Sequence, residues 1–298
     1  MEAIHLDRSP RRLGHSDLFA FPIAWGCWRF AGTDVATATR RVEAALAAGV
    51  TLFDHADIYG GDGAAEELFG RVLAAQPALR AGMLVATKCG IIPGVPYDSS
   101  RAHILRSADA SLRRLRCGVI DLFQIHRPDL LAHPGEVADA LAELRDAGKI
   151  RAVGVSNFTP AQVAALQTHL PFPIATNQPE ISPVFLAPFA DGTLDQCMQH
   201  GITPLAWSPL AGGRLGLPAA EARAGAAGDP AAARLADVIA VLDDLAARDG
   251  VDRTAVVLAF LLAHPAGILP ILGTQDPARI GAATRAFDVR LTRADWYR

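Results

Sequence analysis

The stretch VTLFDHADIYGGDGAAEELFGRVLAA, residues 50–75, contains one complete unit of the predicted fold. Its first five residues are a short, mostly apolar run that ends at Asp54, as expected for a buried strand with a polar carboxyl end. Residues 66–75 then keep apolar side chains at helical spacing. A turn-prone segment between the two runs presents the phenol of Tyr59. The stretch predicts a strand followed by a helix, with polar groups where they join.

The same alternation continues on both sides of this unit. Further strands are predicted at residues 22–26, 83–88, 120–125, 151–155, 173–177, 202–207 and 267–273. Helices are predicted at residues 36–48, 101–115, 136–147, 161–170, 193–200, 234–248, 253–263 and 277–287. Thr33 or Asp34 is the predicted cap of the first of these, and Thr159 followed by Pro160 predicts the start of the helix at residues 161–170. Eight apolar strands alternating with helices favour an α/β fold, a closed (β/α)8 TIM barrel. An open dinucleotide-binding sheet is disfavoured because the chain has no GxGxxG.

The remaining segments suggest no second domain. Composition does not shift along the chain, so residues 1–298 are predicted to form one domain. Residues 1–20 are polar and turn-rich and are predicted to be a lid or plug, and residues 208–230 are predicted to be a long loop.

Composition excludes several functional classes. The net charge is −3 with mixed signs, which suggests neither nucleic acid nor membrane as a partner. Four separated cysteines without a CxxC pair indicate a reduced compartment. The first residues lack the apolar core of a signal peptide, and no window approaches 18 uninterrupted apolar residues. We therefore expect a cytoplasmic protein, with a monomer as the default.

Polar or aromatic residues follow most of the predicted strands. They are Asp54, Lys88, His126, Ser156, Asn157, Gln178, Trp207, Ser208 and Thr274. Barrel enzymes build their sites at the carboxyl ends of the strands, so we expect these side chains to share one rim. A metal site using His55, Asp57 and His126 was weighed and is not predicted, because no HxH or HExxH spacing occurs.

Seven motifs in this order resemble the aldo-keto reductase family over nearly the whole chain, and most closely its bacterial branch without long substrate loops. They are FDHADIYGG, VATKCG, DLFQIHRPD, VGVSNFTP, ATNQPE, AWSPLAGG and PILGT followed by Arg279. The resemblance implies that Tyr59 is the general acid and that Lys88 lowers its pKa. It also implies that Asp54 keeps Lys88 charged and that His126 orients the carbonyl oxygen.

The resemblance also implies positions that bind NADPH. Ser156, Asn157 and Gln178 match contacts to the nicotinamide carboxamide, and Trp207 matches the aromatic residue stacked on the ring. Gly26, Cys27 and Trp28 match a segment near the nicotinamide and the substrate. Ser208, Leu210 and Gly212 match the loop that binds the pyrophosphate. Thr274 and Arg279 match the residues that bind the 2′-phosphate.

This chain departs from the family pattern at a few positions. His55 stands where threonine or serine is commoner, and Ala282 and Ala283 replace a Glu-Asn pair near the adenine. Arg127 follows His126 where many relatives have tryptophan. Arg127 either faces the pocket, where it would favour polar or anionic carbonyls, or turns away to pair with an acid such as Asp129.

Two functions follow from the resemblance. The first is NADPH-dependent reduction of aldehydes or ketones by hydride transfer, with a small-molecule carbonyl substrate and no metal. The alternative is a nicotinamide-binding, redox-sensing module with little turnover. The intact set of Asp54, Tyr59, Lys88 and His126 favours the enzyme.

Overall fold

The protein is described by a computed structural model that covers residues 2–224 and 229–298. Within these ranges eight parallel strands close into a barrel, which confirms the predicted (β/α)8 fold. The strands are β1 (Arg11–Arg12) and β2 (Phe19–Ala20), which form a hairpin, then β3 (Ala24–Gly26), β4 (Leu52–Asp54), β5 (Leu84–Cys89), β6 (Ile120–Ile125), β7 (Ile150–Ser156), β8 (Thr176–Gln178), β9 (Thr203–Ala206) and β10 (Leu269–Leu272). Each barrel strand pairs with its neighbours in sequence, and β10 closes on β3.

Helices surround the barrel. They are α1 (Val35–Ala47), α2 (Ala64–Ala75), α3 (Arg101–Leu115), α4 (Pro134–Asp146), α5 (Pro160–Gln167), α6 (Thr193–His200), α7 (Ala219–Ala224), α8 (Pro230–Asp249), α9 (Arg253–Leu262), α10 (Pro277–Ala282) and α11 (Arg293–Tyr297). Short 3-10 helices cover Pro77–Gly82, Ala187–Phe189, Ala211–Gly216 and Ala283–Asp288.

Side-chain caps fix where several helices begin. Asp34 accepts a hydrogen bond from the Thr37 amide at the start of α1. Thr159 and Gln162 form a reciprocal capping box at α5, followed by a proline in the first turn. Both starts confirm the positions predicted from cap residues.

Helices α2 and α3 pack closely, and this contact places α3 beside the turn that follows β4. A Cβ added at Gly70 would lie 1.9 Å from the carbonyl oxygen of Arg114, so only glycine permits this approach. Glu66, buried on α2, accepts hydrogen bonds from Arg114 and Ser111 of α3.

The β1–β2 hairpin lies at the amino-terminal end of the barrel. Leu13 and Leu18 are buried in one apolar cluster with residues at the starts of the barrel strands, such as Leu52 and Leu122. The hairpin therefore packs on the face opposite the carboxyl ends of the strands. We propose that residues 1–20 act as a plug and that residues 1–298 form one domain.

Several predicted segments differ from the structure. The strand predicted at residues 173–177 runs Thr176–Gln178, and the helix predicted at residues 234–248 begins at Pro230. The predicted loop at residues 208–230 contains the Ala211–Gly216 3-10 helix and α7, whose four alanines favour helix; residues 225–228 lie outside the described residues. The helix predicted at residues 161–170 ends at Gln167, whose side chain bonds the backbone of Phe172 and Ile174. The helix predicted at residues 277–287 becomes 3-10 from Ala283.

The chain has two lysines, Lys88 and Lys149, and they lie at opposite ends of the barrel. Lys149 directly precedes β7 and therefore lies at the amino-terminal end, where it is partly exposed and pairs with Asp109 at 2.6 Å. Lys88 lies near the carboxyl end of β5. Among the described residues, no helix is long and apolar enough to cross a bilayer.

Candidate active site

The carboxyl ends of β4 and β5 hold a buried ion pair. Lys88 Nζ donates to Asp54 Oδ2 at 2.7 Å and to the carbonyl oxygen of His55 at 2.7 Å. Neither charged group is accessible to water, since the Lys88 side chain is 0% exposed and that of Asp54 is 4% exposed. The barrel register explains the contact, because Asp54 pairs with Ala86 on the adjacent strand and Lys88 follows two residues later on the same face.

Opposing effects act on the Lys88 ammonium. Burial alone would lower its pKa, whereas the Asp54 carboxylate and the Tyr59 phenol raise it, and the net pKa lies above its usual value. Lys88 is therefore a fixed positive charge across the neutral range. Its attraction to Asp54 offsets the desolvation of both groups.

Tyr59 and His126 lie beside this ion pair. Lys88 Nζ is 5.0 Å from the centroid of the Tyr59 ring, and the Tyr59 and His126 rings are 5.8 Å apart in an edge-to-face arrangement. Burial raises the pKa of Tyr59, and Lys88 opposes this rise without overcoming it. The net direction is opposite to the one expected from Lys88 alone, so the phenol holds its proton at neutral pH.

His126 is a neutral imidazole. Burial, followed by the charges of Lys88 and Arg127, lowers its pKa to about 2. Its Nδ1 is buried and has no hydrogen-bond partner among the described residues. A neutral ring can donate one hydrogen bond from a single nitrogen, which suits it to holding an oxygen atom.

The second carboxylate oxygen of Asp54 also accepts hydrogen bonds. Gln178 Nε2 donates to Asp54 Oδ1 at 3.0 Å, and Gln124 Nε2 lies 3.4 Å from the same atom. Gln124 was missed by the sequence analysis. Its signal was an amide side chain two residues before His126 in a mostly apolar strand, since residues two apart in a strand share a face.

The residues predicted to hold a carboxamide form one hydrogen-bonded cluster. Asn157 Nδ2 donates to Ser156 Oγ at 2.7 Å, and Ser156 Oγ donates to the Gln178 carbonyl at 2.8 Å. The Trp207 indole donates to Asn157 Oδ1 at 2.9 Å, which fixes the ring at the rim. Ser156 pairs with Gln178 in the barrel register, so β7, β8 and the end of β9 meet here.

The loop after β9 has several residues in the left-handed backbone region. Positive φ angles occur at Ser208 (51°), Ala211 (52°), Gly212 (69°) and Gly213 (98°). The amides of Ala211 and Gly213 donate within the turn, to the carbonyls of Ser208 at 2.8 Å and Leu210 at 2.9 Å, so the loop folds tightly on itself. Leu210 lies within this turn and packs partly against the core.

The segment after β3 lies beside the buried ion pair. Gly26 pairs with Asp54 in the register, and Trp28 is 63% exposed at the rim. The thiol of Cys27 is fully buried, and burial raises its pKa well above its usual value. Asp54 raises the pKa of this thiol further and Lys88 lowers it, so the Cys27 side chain lies near both charged groups.

The two residues predicted to hold a 2′-phosphate lie beyond β10. The Thr274 carbonyl accepts a hydrogen bond from the Trp25 indole at 2.8 Å, which fixes the start of this loop. Arg279, on α10, has an 80% exposed side chain and lies 3.7 Å from Asp276. No contact joins Arg279 to the Tyr59 and Lys88 cluster among the described residues.

The structure decides between the two orientations weighed for Arg127. Its guanidinium carbon lies 5.5 Å from the centroid of the Trp207 ring, on the side of the site. Asp129 instead accepts hydrogen bonds from the amides of Ser99 and Leu131. Arg127 therefore faces the rim.

His55 occupies an apolar pocket. Its ring is fully buried, lies 4.5 Å from the Phe69 ring and 6.5 Å from the Phe30 ring, and both nitrogens lack a partner among the described residues. Burial, followed by the charge of Lys88, lowers the pKa of His55 to about 3. The described residues contain no group of three His, Cys, Asp or Glu side chains arranged to hold a metal.

We expect His55→Leu to weaken the acid sensitivity of folding. An unfolded histidine titrates near pH ~6.5, so the folded state loses stability as pH falls below that value, by about 2 kcal/mol at pH 5. His126 acts in the same direction, while Asp57, with its pKa raised to about 6, stabilises the folded state as pH falls toward 4. Urea unfolding at pH 7 and pH 5 measures the difference for wild type and variant.

An exposed histidine provides the control for this comparison. The His200→Leu variant should retain the wild-type difference between the two pH values. If His55→Leu also retained it in full, the neutral buried state assigned to His55 would be wrong.

Comparisons with known proteins agree with this geometry. The sequence model of the Aldo/keto reductase family matches residues 22–298. The chain is 50% identical to a 6-dehydroglucose reductase from Novosphingobium aromaticivorans, covering 100% of this chain and 96% of that protein. It is 43% identical to the oxidoreductase YdhF from Escherichia coli, covering 86% and 84%. The glycerol dehydrogenase structure from Gluconobacter oxydans superposes with a TM-score of 0.81 at 29% identity, covering 97% and 92%. The chain therefore belongs to the aldo/keto reductase family and is an NAD(P)H-dependent oxidoreductase.

Proposed function

We propose that this enzyme reduces aldehydes or ketones to alcohols with NADPH, and that Tyr59 donates the proton to the carbonyl oxygen. The observation that carries the proposal is the placement of Tyr59 beside Lys88, whose ammonium is held by the buried Asp54 carboxylate. The phenol keeps its proton at neutral pH and has a cation 5.0 Å from its ring to stabilise the phenolate formed on transfer. This arrangement suits proton donation to an oxygen that gains negative charge.

The remaining members of the set have separate tasks. Asp54 keeps Lys88 charged and aimed, because its two oxygens are tied to Lys88 and Gln178. His126 is neutral and lies edge-on to Tyr59, so it holds the carbonyl oxygen by a hydrogen bond without competing as an acid. The buried setting strengthens each of these interactions.

The rim residues fit a nicotinamide nucleotide. Ser156, Asn157 and Gln178 supply hydroxyl and amide groups that bind a carboxamide, and Trp207 supplies an aromatic face. When bound, NADPH supplies the hydride that reduces the carbonyl carbon. We assign the pyrophosphate to the turn at residues 208–213, because its tightly folded backbone and small residues let an anion approach closely. Gly26, Cys27 and Trp28 border the ring and the substrate.

NADPH is preferred over NADH in this proposal because of Arg279. Its side chain is 80% exposed and lies 3.7 Å from Asp276, so it is available to a 2′-phosphate beside Thr274. A charge-assisted contact of this kind contributes about 1.5–3 kcal/mol, roughly ten- to a hundredfold in affinity. Ala282 and Ala283 offer no polar side chain to the adenine, so the phosphate carries most of the discrimination.

For the substrate we propose a hydroxylated, sugar-derived aldehyde. Two relatives of this chain, at 50% and 39% identity, are named 6-dehydroglucose reductase. Arg127 lies over Trp207 at the rim and supplies several donors to hydroxyl oxygens. Glu180 lies near Arg127 and Arg214; burial raises the pKa of Glu180, and both arginines lower it. This side of the rim is polar where many relatives have an aromatic wall.

Arg127→Met is expected to raise KM for hydroxylated aldehydes about tenfold and to leave KM for apolar aromatic aldehydes nearly unchanged. Loss of a hydrogen bond from a charged donor removes about 1.5–3 kcal/mol, and this variant keeps apolar contact with the Trp207 ring. The matched control is Arg145→Met, which removes a similar stack on Phe172 away from the site. If KM changed equally for both classes of aldehyde, Arg127 would not contribute to substrate selection.

Kinetics with a panel of sugar aldehydes, simple aldehydes and ketones tests the proposed function. We expect turnover with NADPH, weaker use of NADH, and the highest kcat/KM for sugar aldehydes. Tight NADPH binding with negligible rates for wild type and Tyr59→Phe alike would favour the redox-sensing module instead. We also propose a monomer, which light scattering measures directly.

A further inference from the structure

In the part of the chain that the structure describes, a single side-chain hydrogen bond joins the turn that carries Tyr59 to a helix. Asp57 lies two residues before Tyr59, and its Oδ2 accepts a hydrogen bond from Ser107 Oγ at 2.6 Å. Ser107 is buried in the middle of α3, at 7% exposure. Asp57 also donates its amide to the Lys88 carbonyl at 3.0 Å, so it contacts both α3 and β5.

The other hydrogen bonds of this turn are backbone bonds or reach β5. Tyr59 donates its amide to the Ala56 carbonyl and accepts from the Ala65 amide. Lys88 Nζ donates to the His55 carbonyl. Among the described residues, the Asp57 and Ser107 contact is the one side-chain hydrogen bond from residues 55–61 to a helix. It therefore restrains the turn from the side away from the barrel axis.

We propose that Ser107 is a positioning residue which, through Asp57, holds the phenol of Tyr59 in place relative to Lys88 and His126. This inference rests on the proposed role of Tyr59. Ser107 contacts neither substrate nor reacting atoms, and its effect passes through the turn. Small displacements of an acid from its acceptor lower rates strongly, since proton transfer requires hydrogen-bond distance.

Charged groups face Asp57 from each element packed on it. They are Lys88 on β5, Glu66 on α2 and Arg114 on α3, and the Cys89 thiol is also nearby. Burial raises the pKa of Asp57 to about 6, the Ser107 bond lowers it, Glu66 raises it, and Arg114 and Lys88 lower it. A carboxylate accepts a stronger hydrogen bond than a neutral carboxyl group. The hydrogen bond from Ser107 to Asp57 therefore weakens as pH falls below about 6.

The decisive comparison uses two serines on α3. Ser107→Ala removes the hydrogen bond to Asp57. Ser111 lies one turn further along the same buried face, and Ser111→Ala removes a hydrogen bond to Glu66 of 3.2 Å. We expect Ser107→Ala to lower kcat about tenfold and to leave the Kd for NADPH within about twofold of wild type. Ser111→Ala should keep the wild-type kcat. Equal kcat values for the two variants would overturn the proposal.

The pH dependence of kcat supplies a readout that a purely structural role would not move. Asp57→Asn keeps an acceptor for Ser107 and removes the ionisation. We expect wild-type kcat to fall severalfold on the acid side of pH 6 and the Asp57→Asn profile to stay flat there, because His126, with a pKa of about 2, does not titrate in this range. A wild-type acid limb that persists in Asp57→Asn would contradict the inference.

A measurement without turnover separates this inference from the proposed function. Near-ultraviolet difference absorption between each protein and its Tyr59→Phe version reports the phenolate titration of Tyr59. Ser107→Ala should shift that titration and Ser111→Ala should not, since only the first alters the distance between Tyr59 and Lys88. If the Tyr59 titration in Ser107→Ala did not shift, the inference would be wrong. If wild type and Tyr59→Phe had equal rates, the proposed function would be wrong.

Discussion

Tyr59→Phe is expected to lower kcat about a hundredfold or more and to leave the affinity for NADPH nearly unchanged. Phenylalanine keeps the ring that lies 5.0 Å from Lys88 Nζ and 5.8 Å from the His126 ring, so the variant loses the hydroxyl and little else. The residues proposed to hold the nucleotide form hydrogen bonds with one another and not with Tyr59. The variant should therefore still bind NADPH. Steady-state kinetics and tryptophan quenching by NADPH measure the two quantities.

The phenol at Tyr297 gives a matched control. It is 73% exposed and lies on α11, whose Trp296 stacks on Phe260 of α9, so Tyr297→Phe should leave kcat within about twofold. If the NADPH affinity of Tyr59→Phe fell together with its kcat, the variant would have a distorted site, and the loss of rate could not be assigned to the missing acid.

Lys88→Met is expected to abolish turnover and to lower the free energy of unfolding by about 3–5 kcal/mol. The variant leaves the Asp54 carboxylate buried without its cation, with only the amides of Gln178 and Gln124 as partners. It also removes the donor to the His55 carbonyl, which anchors the start of the turn that carries Tyr59. Urea unfolding and the kinetic assay measure the two effects.

Two further proteins separate charge from packing. Lys88→Met combined with Asp54→Asn should recover most of the lost stability, since no unpaired charge remains buried, while turnover stays absent. Lys149→Met removes a partly exposed pair and should change stability by less than about 1 kcal/mol. Failure of the double variant to recover stability would mean that Lys88 acts mainly through packing.

Much of the fold was predictable because its local signals agree with one another. Asp34 and Thr159 cap the helices at the predicted places, and the apolar runs at residues 120–125 and 202–207 coincide with strands of the barrel to within about one residue. The end of α5 was not predictable, because it depends on Gln167 reaching the backbone of the next segment. Contacts of that kind require the tertiary structure.

The candidate site was predictable as a set of residues and less so as a geometry. Parallel strands place their carboxyl ends on one rim, which brought Asp54 and Lys88 together from sequence order alone. The net direction of the Tyr59 pKa was not predictable, since it depends on how far burial outweighs the ammonium. The periodicity of the sequence also gives no information on the orientation of Arg127 toward Trp207.

The placement of the two lysines determines how the enzyme can be attached to a surface. Of the two lysine amines, that of Lys149 is open to acylating reagents, because Lys88 is fully enclosed and held by Asp54. Lys149 lies at the end of the barrel opposite Tyr59. Coupling through amines at this position would orient the immobilised molecules with their catalytic rims toward the solution, without any engineered tag.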